Sequence, residues 1–285
     1  MESYFKSEAG KKAILSLYDQ KLAELHIDYQ YKIVETSFGK TNIIITGEAK
    51  NPPLIIVHGS NGCAPIGIES YPNLSQQYQV FAVDVLSQPN KSDGTRLSMK
   101  DDSYGKWMNE VIDKLGLTNV VLAGFSLGGL IILKTLIHNG SKVKEAFLAA
   151  PAYIVNGNPL KALFKMFIPM KRYMRNKNPK LVEQVVSELF TDKDEFAIKY
   201  LSQVFLHFEM DFTPVPVMTK AEAAKIKTPI TLFAAKKDLM FPGEKMLKRA
   251  SKLLPTIQKT VLLENSKHVQ NRADNALIED LILKK

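Results

Sequence analysis

Val120-Val121-Leu122-Ala123-Gly124-Phe125-Ser126-Leu127-Gly128-Gly129-Leu130-Ile131-Ile132-Leu133 is the stretch on which the reading of this chain turns. Its first four residues form an apolar run, as a buried strand does, and its last four form the apolar start of a helix. Between them lies the pattern G-x-S-x-G. A sharp strand-to-helix turn needs small residues beside Ser126, because larger side chains would collide with neighbouring strands. Such a turn lifts the serine hydroxyl above the sheet and brings backbone N–H groups and a helix N-terminus close to it. Ser126 is therefore a candidate nucleophile. The pentapeptide also occurs in ordinary loops, so the reading demands three more features. These are a general base, an acid to orient it and a second oxyanion donor, with serine, acid and histidine in that chain order.

The same alternation extends to both sides of the motif. Apolar runs at residues 54–57, 80–85, 146–149, 230–234 and 260–263 lack polar alternation, as expected of parallel strands covered on both faces. Helical patterns occupy residues 103–115, 127–138, 243–254 and 272–283. The expected fold is α/β, with a mostly parallel doubly wound sheet. An amphipathic helix over residues 11–26 and an antiparallel hairpin over residues 29–46, turning at Phe38-Gly39-Lys40, precede it.

One crossover, between residues 149 and 230, is far too long for a single helix. Asn158-Pro159 reads as a helix start, with Leu160, Leu163, Phe164, Phe167 and Ile168 as an apolar stripe stopped by Pro169. Asn178-Pro179 starts a second helix, Thr191 is the expected cap of a third, and Thr219 with Glu222 forms a capping box. Residues 152–218 are read as a helical cap, and residues 1–151 and 219–285 as the core. Such an insertion lies over the C-terminal edge of the strands, where ligands bind in sheets of this kind.

The required partners are present. His268 follows the last predicted strand, and Asp238 follows the strand before it. Asp238 would hold His268 in the right tautomer and stabilise the imidazolium. Pro151-Ala152-Tyr153 offers no carboxylate after the preceding strand, the alternative place for an acid. His58-Gly59-Ser60 directly follows residues 54–57, so the backbone N–H groups of Leu127 and Ser60 are the expected oxyanion donors, with Asn61 as fallback. His58 reads as structural. His26 falls in the first helix, His138 near the end of the helix after Ser126, and His207 among cap aromatics, where packing and substrate contact stay open. Asn61, Cys63, Phe205 and Phe208, with Ile66 and Ile68, are the candidate pocket residues.

With these residues in order, the chain resembles the α/β-hydrolase superfamily over essentially its whole length. The matching signatures are His58-Gly59-Ser60, Asp84, residues 124–129, Asp238 and His268. Tyr71-Pro72-Asn73-Leu74, Ala82-Val83-Asp84-Val85 with Asn90-Lys91-Ser92, and Phe125-Ser126-Leu127-Gly128-Gly129-Leu130 resemble bacillar carboxylesterases of the naproxen-esterase (carboxylesterase NP) type. The resemblance implies hydrolysis of carboxylic esters beneath a helical cap. A serine at the elbow argues against the haloalkane dehalogenase and epoxide hydrolase branches, which place aspartate there. Three features depart from the pattern: Lys267 in place of a glycine before the histidine, Ala235 in place of a glycine before the acid, and a slightly longer segment 60–69.

Composition is that of a soluble globular protein with a good core. The 285 residues are 45% hydrophobic and 24% charged, and no apolar run approaches the roughly 20 residues needed to cross a bilayer. The N-terminus does not read as a signal peptide, and the lone cysteine excludes an internal disulfide, so a cytoplasmic location is expected. No metal constellation is visible and serine chemistry needs no cofactor. The net charge of +9 is read as a solvated basic surface, because the lysines are spread and no nucleic-acid motif accompanies them. Membrane contact is not expected: the basic segment around Phe164, Phe167 and Ile168 is read as a cap helix packed on the domain, in preference to a lipid-facing lid. The partner is a small-molecule ester. The competing readings are a catalytically slow ligand sensor that acts through partner binding, and a hydrolase of thioester, lactone or C–C bonds.

Overall fold

The structure, a computed structural model, describes residues 4–284. Strands β1 (Tyr29–Thr36), β2 (Gly39–Thr46), β3 (Pro53–Val57), β4 (Gln79–Val83), β5 (Val120–Phe125), β6 (Val143–Ala149), β7 (Ile230–Ala235) and β8 (Ile257–Leu263) form one sheet. Its order is β1-β2-β4-β3-β5-β6-β7-β8. The β1–β2 hairpin is antiparallel and joins β4 in antiparallel register. All pairings from β4 to β8 are parallel. This is the expected mostly parallel α/β sheet with an N-terminal hairpin.

Strand residues alternate between the two faces, and each face has its own helices. Helices α1 (Glu8–Glu24), α2 (Ala64–Ser70), α3 (Ser103–Lys114), α4 (Leu127–Asn139), α5 (Pro159–Ala162), α6 (Ile168–Asn176), α7 (Pro179–Leu189), α8 (Glu195–His207), α9 (Lys220–Ala223), α10 (Gly243–Leu253) and α11 (Arg272–Leu283) follow in chain order. Ile55, Val57 and Leu122 pack with Trp107 of α3, Leu130 of α4 and Met246 of α10. Leu54, Ile56 and Val121 pack on the other side with Ile14 of α1, Ile68 of α2 and Ile278 of α11. The apolar stripes of α6, α7 and α8 join that second cluster through Met170, Val182 and Val204. The insertion thus continues one face of the core.

Several local expectations are corrected. The first helix starts earlier, at Glu8, because the Ser7 side chain accepts from the Gly10 N–H. It ends at Glu24, so His26 lies outside it, at φ 50°. The hairpin loop tightens to Ser37-Phe38, since Thr36 already pairs with Gly39 at φ 132°. Strand β4 stops at Val83, because Val85 donates its N–H to His58 and the Asp84 side chain is drawn into the interior. Asp194, whose side chain accepts from Ala197 N–H, caps α8 in place of Thr191.

Pro169 does not stop its helix. Residues 163–167 form one π-helical turn, in which the Ile168 N–H reaches back five residues to the Leu163 carbonyl. Proline lacks an N–H and normally breaks the helical hydrogen-bond ladder. The widened turn places Pro169 in the first turn of α6, and the helical run continues to Asn176. Its inner side buries Ala162, Met170 and Tyr173. The expected stripe does not pack as a whole: Leu160, Leu163, Phe164 and Ile168 are exposed.

Candidate active site

Ser126 sits between β5 and α4 at φ 54° and ψ −113°, a strained backbone conformation for a non-glycine residue. The turn closes because its neighbours are glycines. A Cβ at Gly128 would stand 2.0 Å from the Val57 carbonyl oxygen, and one at Gly129 would stand 2.4 Å from Pro151 Cβ. The Ser126 N–H donates to the Ala149 carbonyl, which holds the turn against β6.

The loops after β7 and β8 bring Asp238 and His268 to the same place. Ser126 Oγ lies 3.0 Å from His268 Nε2, and His268 Nδ1 lies 2.7 Å from Asp238 Oδ2. The other Asp238 oxygen accepts from the N–H groups of Met240 (2.7 Å) and Phe241 (2.9 Å). All three residues are buried, at 5–7% exposure. The carboxylate can only accept, so Nδ1 carries the proton and Nε2 is free to accept from the serine hydroxyl. The His268 ring is flanked by Phe125 and Phe241, with centroids 5.0 and 5.4 Å away.

The insertion also holds the histidine loop. Thr191 Oγ1 accepts from the Lys267 N–H (3.0 Å) and donates to the Val269 carbonyl (2.7 Å). Val269 N–H donates to Leu189 O, and Thr191 N–H donates to Val269 O, making a short parallel bridge between Phe190 and Val269. Lys267 Nζ reaches the Ser187 carbonyl near the end of α7. The lysine in place of glycine is thus a strut from the histidine loop to the insertion. Thr191, read from sequence as a helix cap, does this instead.

His58 is structural. Its Nε2 accepts from the Val85 N–H (3.0 Å), so Nδ1 is protonated and donates to the Gly59 carbonyl (2.8 Å). Burial lowers its pKa to about 4, which keeps the ring neutral. Behind it, Asp84 is fully buried and accepts from Ala64 N–H (2.7 Å), Asn42 Nδ2 (2.8 Å) and Tyr18 hydroxyl (3.0 Å). Burial nevertheless raises its pKa to about 6. The Asn61 N–H donates to Gln88 Oε1 at 2.7 Å, so the fallback oxyanion donor is already engaged.

A cavity of about 560 Å³ opens onto Ser126 and His268. Ser60, Leu127, Asn61, Ile66 and Phe205 line it, as expected. Cys63, Phe208 and Ile68 do not. Cys63 caps the start of α2 and is fully buried, and burial pushes its thiol pKa up. Phe208 leaves α8 in extended conformation and packs edge-on against Phe5, 5.2 Å away. Ile68 turns into the core behind the cavity. His207 packs against Gly10 of α1, which settles it as a packing residue. Sequence reading missed Met166, Met170, Leu189, Met210 and Phe212 in the cavity wall. For Met166, Met170 and Leu189 the only signal was apolar helical spacing, which does not separate a wall from a core, and Met210 and Phe212 lie in the irregular segment after α8, which carried none.

The α/β-hydrolase-fold family model matches residues 52–199, just over half of the chain. Carboxylesterase YbfK of Bacillus subtilis is 28% identical over 267 residues, spanning 88% of this chain and 86% of that protein. The uncharacterised carboxylesterase nap of the same organism is 23% identical over 282 residues, spanning 94% of this chain and 90% of that protein. Among solved structures, naproxen esterase (carboxylesterase NP) of Bacillus subtilis superposes with a TM-score of 0.84 at 23% identity, covering 98% of both chains. The crystal structure of carboxylesterase CesB (YbfK) gives 0.83 at 24%, covering 97% of this chain and 98% of that one. The chain belongs to the α/β-hydrolase-fold family, as a carboxylesterase-like member.

Proposed function

We propose that this chain hydrolyses small or medium carboxylic esters by way of a Ser126 acyl-enzyme. The observation that carries the reading is the unbroken line Ser126 Oγ–His268 Nε2–His268 Nδ1–Asp238 Oδ2 at the floor of an apolar cavity. Ser126 Oγ attacks the acyl carbon while its proton moves to His268 Nε2, and Asp238 stabilises the imidazolium. The oxyanion of the tetrahedral intermediate takes hydrogen bonds from the backbone N–H groups of Leu127 and Ser60. Each such donor is worth about 3 kcal/mol at the transition state. On collapse, the C–O bond to the leaving group breaks and His268 returns its proton to the departing alkoxide. Water, deprotonated by His268, then attacks the acyl-enzyme and releases the carboxylic acid with Ser126 restored.

Residues 152–218 serve as the cap in this scheme. They supply Met166, Met170, Leu189 and Phe205 to the cavity, and so set acyl-chain preference. A cytoplasmic working location goes with this reading, supported by a single cysteine, Cys63, that leaves no pair for a disulfide. A fluorophosphonate probe should label Ser126 alone, and an ester chain-length screen should find turnover that Ser126→Ala abolishes. Ester turnover persisting within tenfold of wild type in Ser126→Ala would overturn the reading.

A further inference from the structure

We propose that the outward face of the helical run 159–176 docks on an anionic lipid bilayer. Leu160 and Phe164 are 63% and 65% exposed, and Leu163 and Ile168 are 41% and 36% exposed. Leu160 and Phe164, four residues apart, stand one above the other, and across the five-residue π turn Ile168 stands above Leu163, so the four exposed side chains form one apolar ridge. Phe212, also half-exposed, meets Phe167 edge-on at 5.9 Å and widens the apolar area. The run buries a different face, through Met170 and Tyr173, so this ridge is surplus to its packing.

The ridge leads into a basic surface. Leu163, Phe167 and Ile168 share a groove of about 550 Å³ with Lys171, Arg172 and Arg175. Residues 156–182 hold seven lysines and arginines and no aspartate or glutamate. Lys165 pairs with Glu188 at 2.8 Å. Among the described residues, Lys161, Lys171, Arg172 and Arg175 form no ion pair. Exposed apolar tips beside unmatched cations suit a surface that layers hydrocarbon beneath phosphate.

Charge complementarity selects this occupant. A second copy meeting the same face about a two-fold axis would bring the same cations together. A nucleic acid offers phosphate but no hydrocarbon layer for Leu160 and Ile168. The proposal does not rest on the hydrolytic reading: Ser126→Ala should bind lipid as the parent does.

The test is sedimentation of the full chain with vesicles of phosphatidylglycerol and phosphatidylcholine, and with phosphatidylcholine alone, at low and high salt. Binding is expected on the anionic vesicles only, weakening at least about tenfold at high salt. The double variants Leu160→Ser/Phe164→Ser and Arg172→Glu/Arg175→Glu should each weaken it at least about tenfold, while hydrolysis of a short soluble ester stays unchanged as the check on folding. Three results overturn the proposal: no binding to anionic vesicles at low salt, undiminished binding by the serine double variant, or a concentration-dependent dimer that Phe164→Ser dissolves.

Discussion

The Ser126 end of the sheet and the outward face of residues 159–176 treat polar groups in opposite ways. At the first, both Asp238 oxygens have partners, both His268 ring nitrogens have partners, and Asp84 accepts from three side-chain or backbone donors nearby. At the second, cations stand unmatched beside exposed phenylalanine and leucine. A buried polar group left unpaired costs about 1–3 kcal/mol, so the interior satisfies nearly all of them, with Arg249 Nε and Thr256 Oγ1 as buried exceptions far along the chain from the Ser126 turn. A solvated surface escapes that demand, and unmatched groups there are free to serve a partner from outside. Matching marks where the protein fixes geometry, and mismatch marks where it meets something else.

The comparison breaks first, and hardest, at Ser126. Ser126→Ala and His268→Ala should each lower kcat about 10⁴-fold or more on a nitrophenyl ester, and losses under tenfold would remove the proposed roles. Asp238→Asn should cost less, leaving about a hundredfold more activity than Ser126→Ala, and a silent variant would mean that another group orients His268.

Next comes the buried pair behind the oxyanion loop. The depressed pKa of His58 gives stability that is present above about pH 6.5 and lost as pH falls through about 4. The raised pKa of Asp84 gives stability that is present below about pH 4 and lost as pH rises through about 6. Each amounts to about 3 kcal/mol, and the two nearly cancel between pH 4 and 6. Relative to wild type, Asp84→Asn should therefore lose about 3 kcal/mol more on acidification across that window. Denaturant titrations giving parallel curves would refute the opposed pair.

Thr191→Val keeps the side-chain shape and removes both hydroxyl bonds to the histidine loop, at a cost of about 1–2 kcal/mol of stability. A several-fold drop in kcat with KM unchanged should accompany it, since only the seating of His268 is disturbed. Least of all, Arg172→Gln should move stability by less than about 0.5 kcal/mol, because its charge has no partner within the protein. A larger loss by thermal melting would mean that the outward face is structural after all.

The central strands were legible because residues 54–57 and 120–123 are continuously apolar, 230–234 is interrupted only by Thr231, and each ends at a chemically distinctive loop. Ser126, Asp238 and His268 could be named because strand order constrains where their loops meet. The insertion was less legible. Pro169 reads as a stop signal, and only the π turn before it lets the helix continue. Thr191 has the residue type of a cap, but its hydroxyl is claimed by a loop 76 residues away in sequence. Cys63 and Phe208 were misassigned because sequence spacing does not say on which side of a thin wall a side chain falls. The exposed stripe was expected to pack, as apolar helical stripes do, and no local signal in the sequence separates an inner stripe from an outer one.

The glycines around Ser126 also bear on how this protein can be diversified. Positions 124, 128 and 129 are closed to any side chain: an added methyl at Gly128 meets the Val57 backbone, and one at Gly124 meets both Ile132 and the Gly128 backbone. No rotamer change relieves a clash with main chain. The methionines at 166, 170 and 210, by contrast, are flexible side chains that tolerate replacement. A library aimed at new acyl groups should spend its diversity on those three positions and leave the turn untouched, because substituting a neighbouring side chain does not remove a clash with main chain such as the one at Gly128.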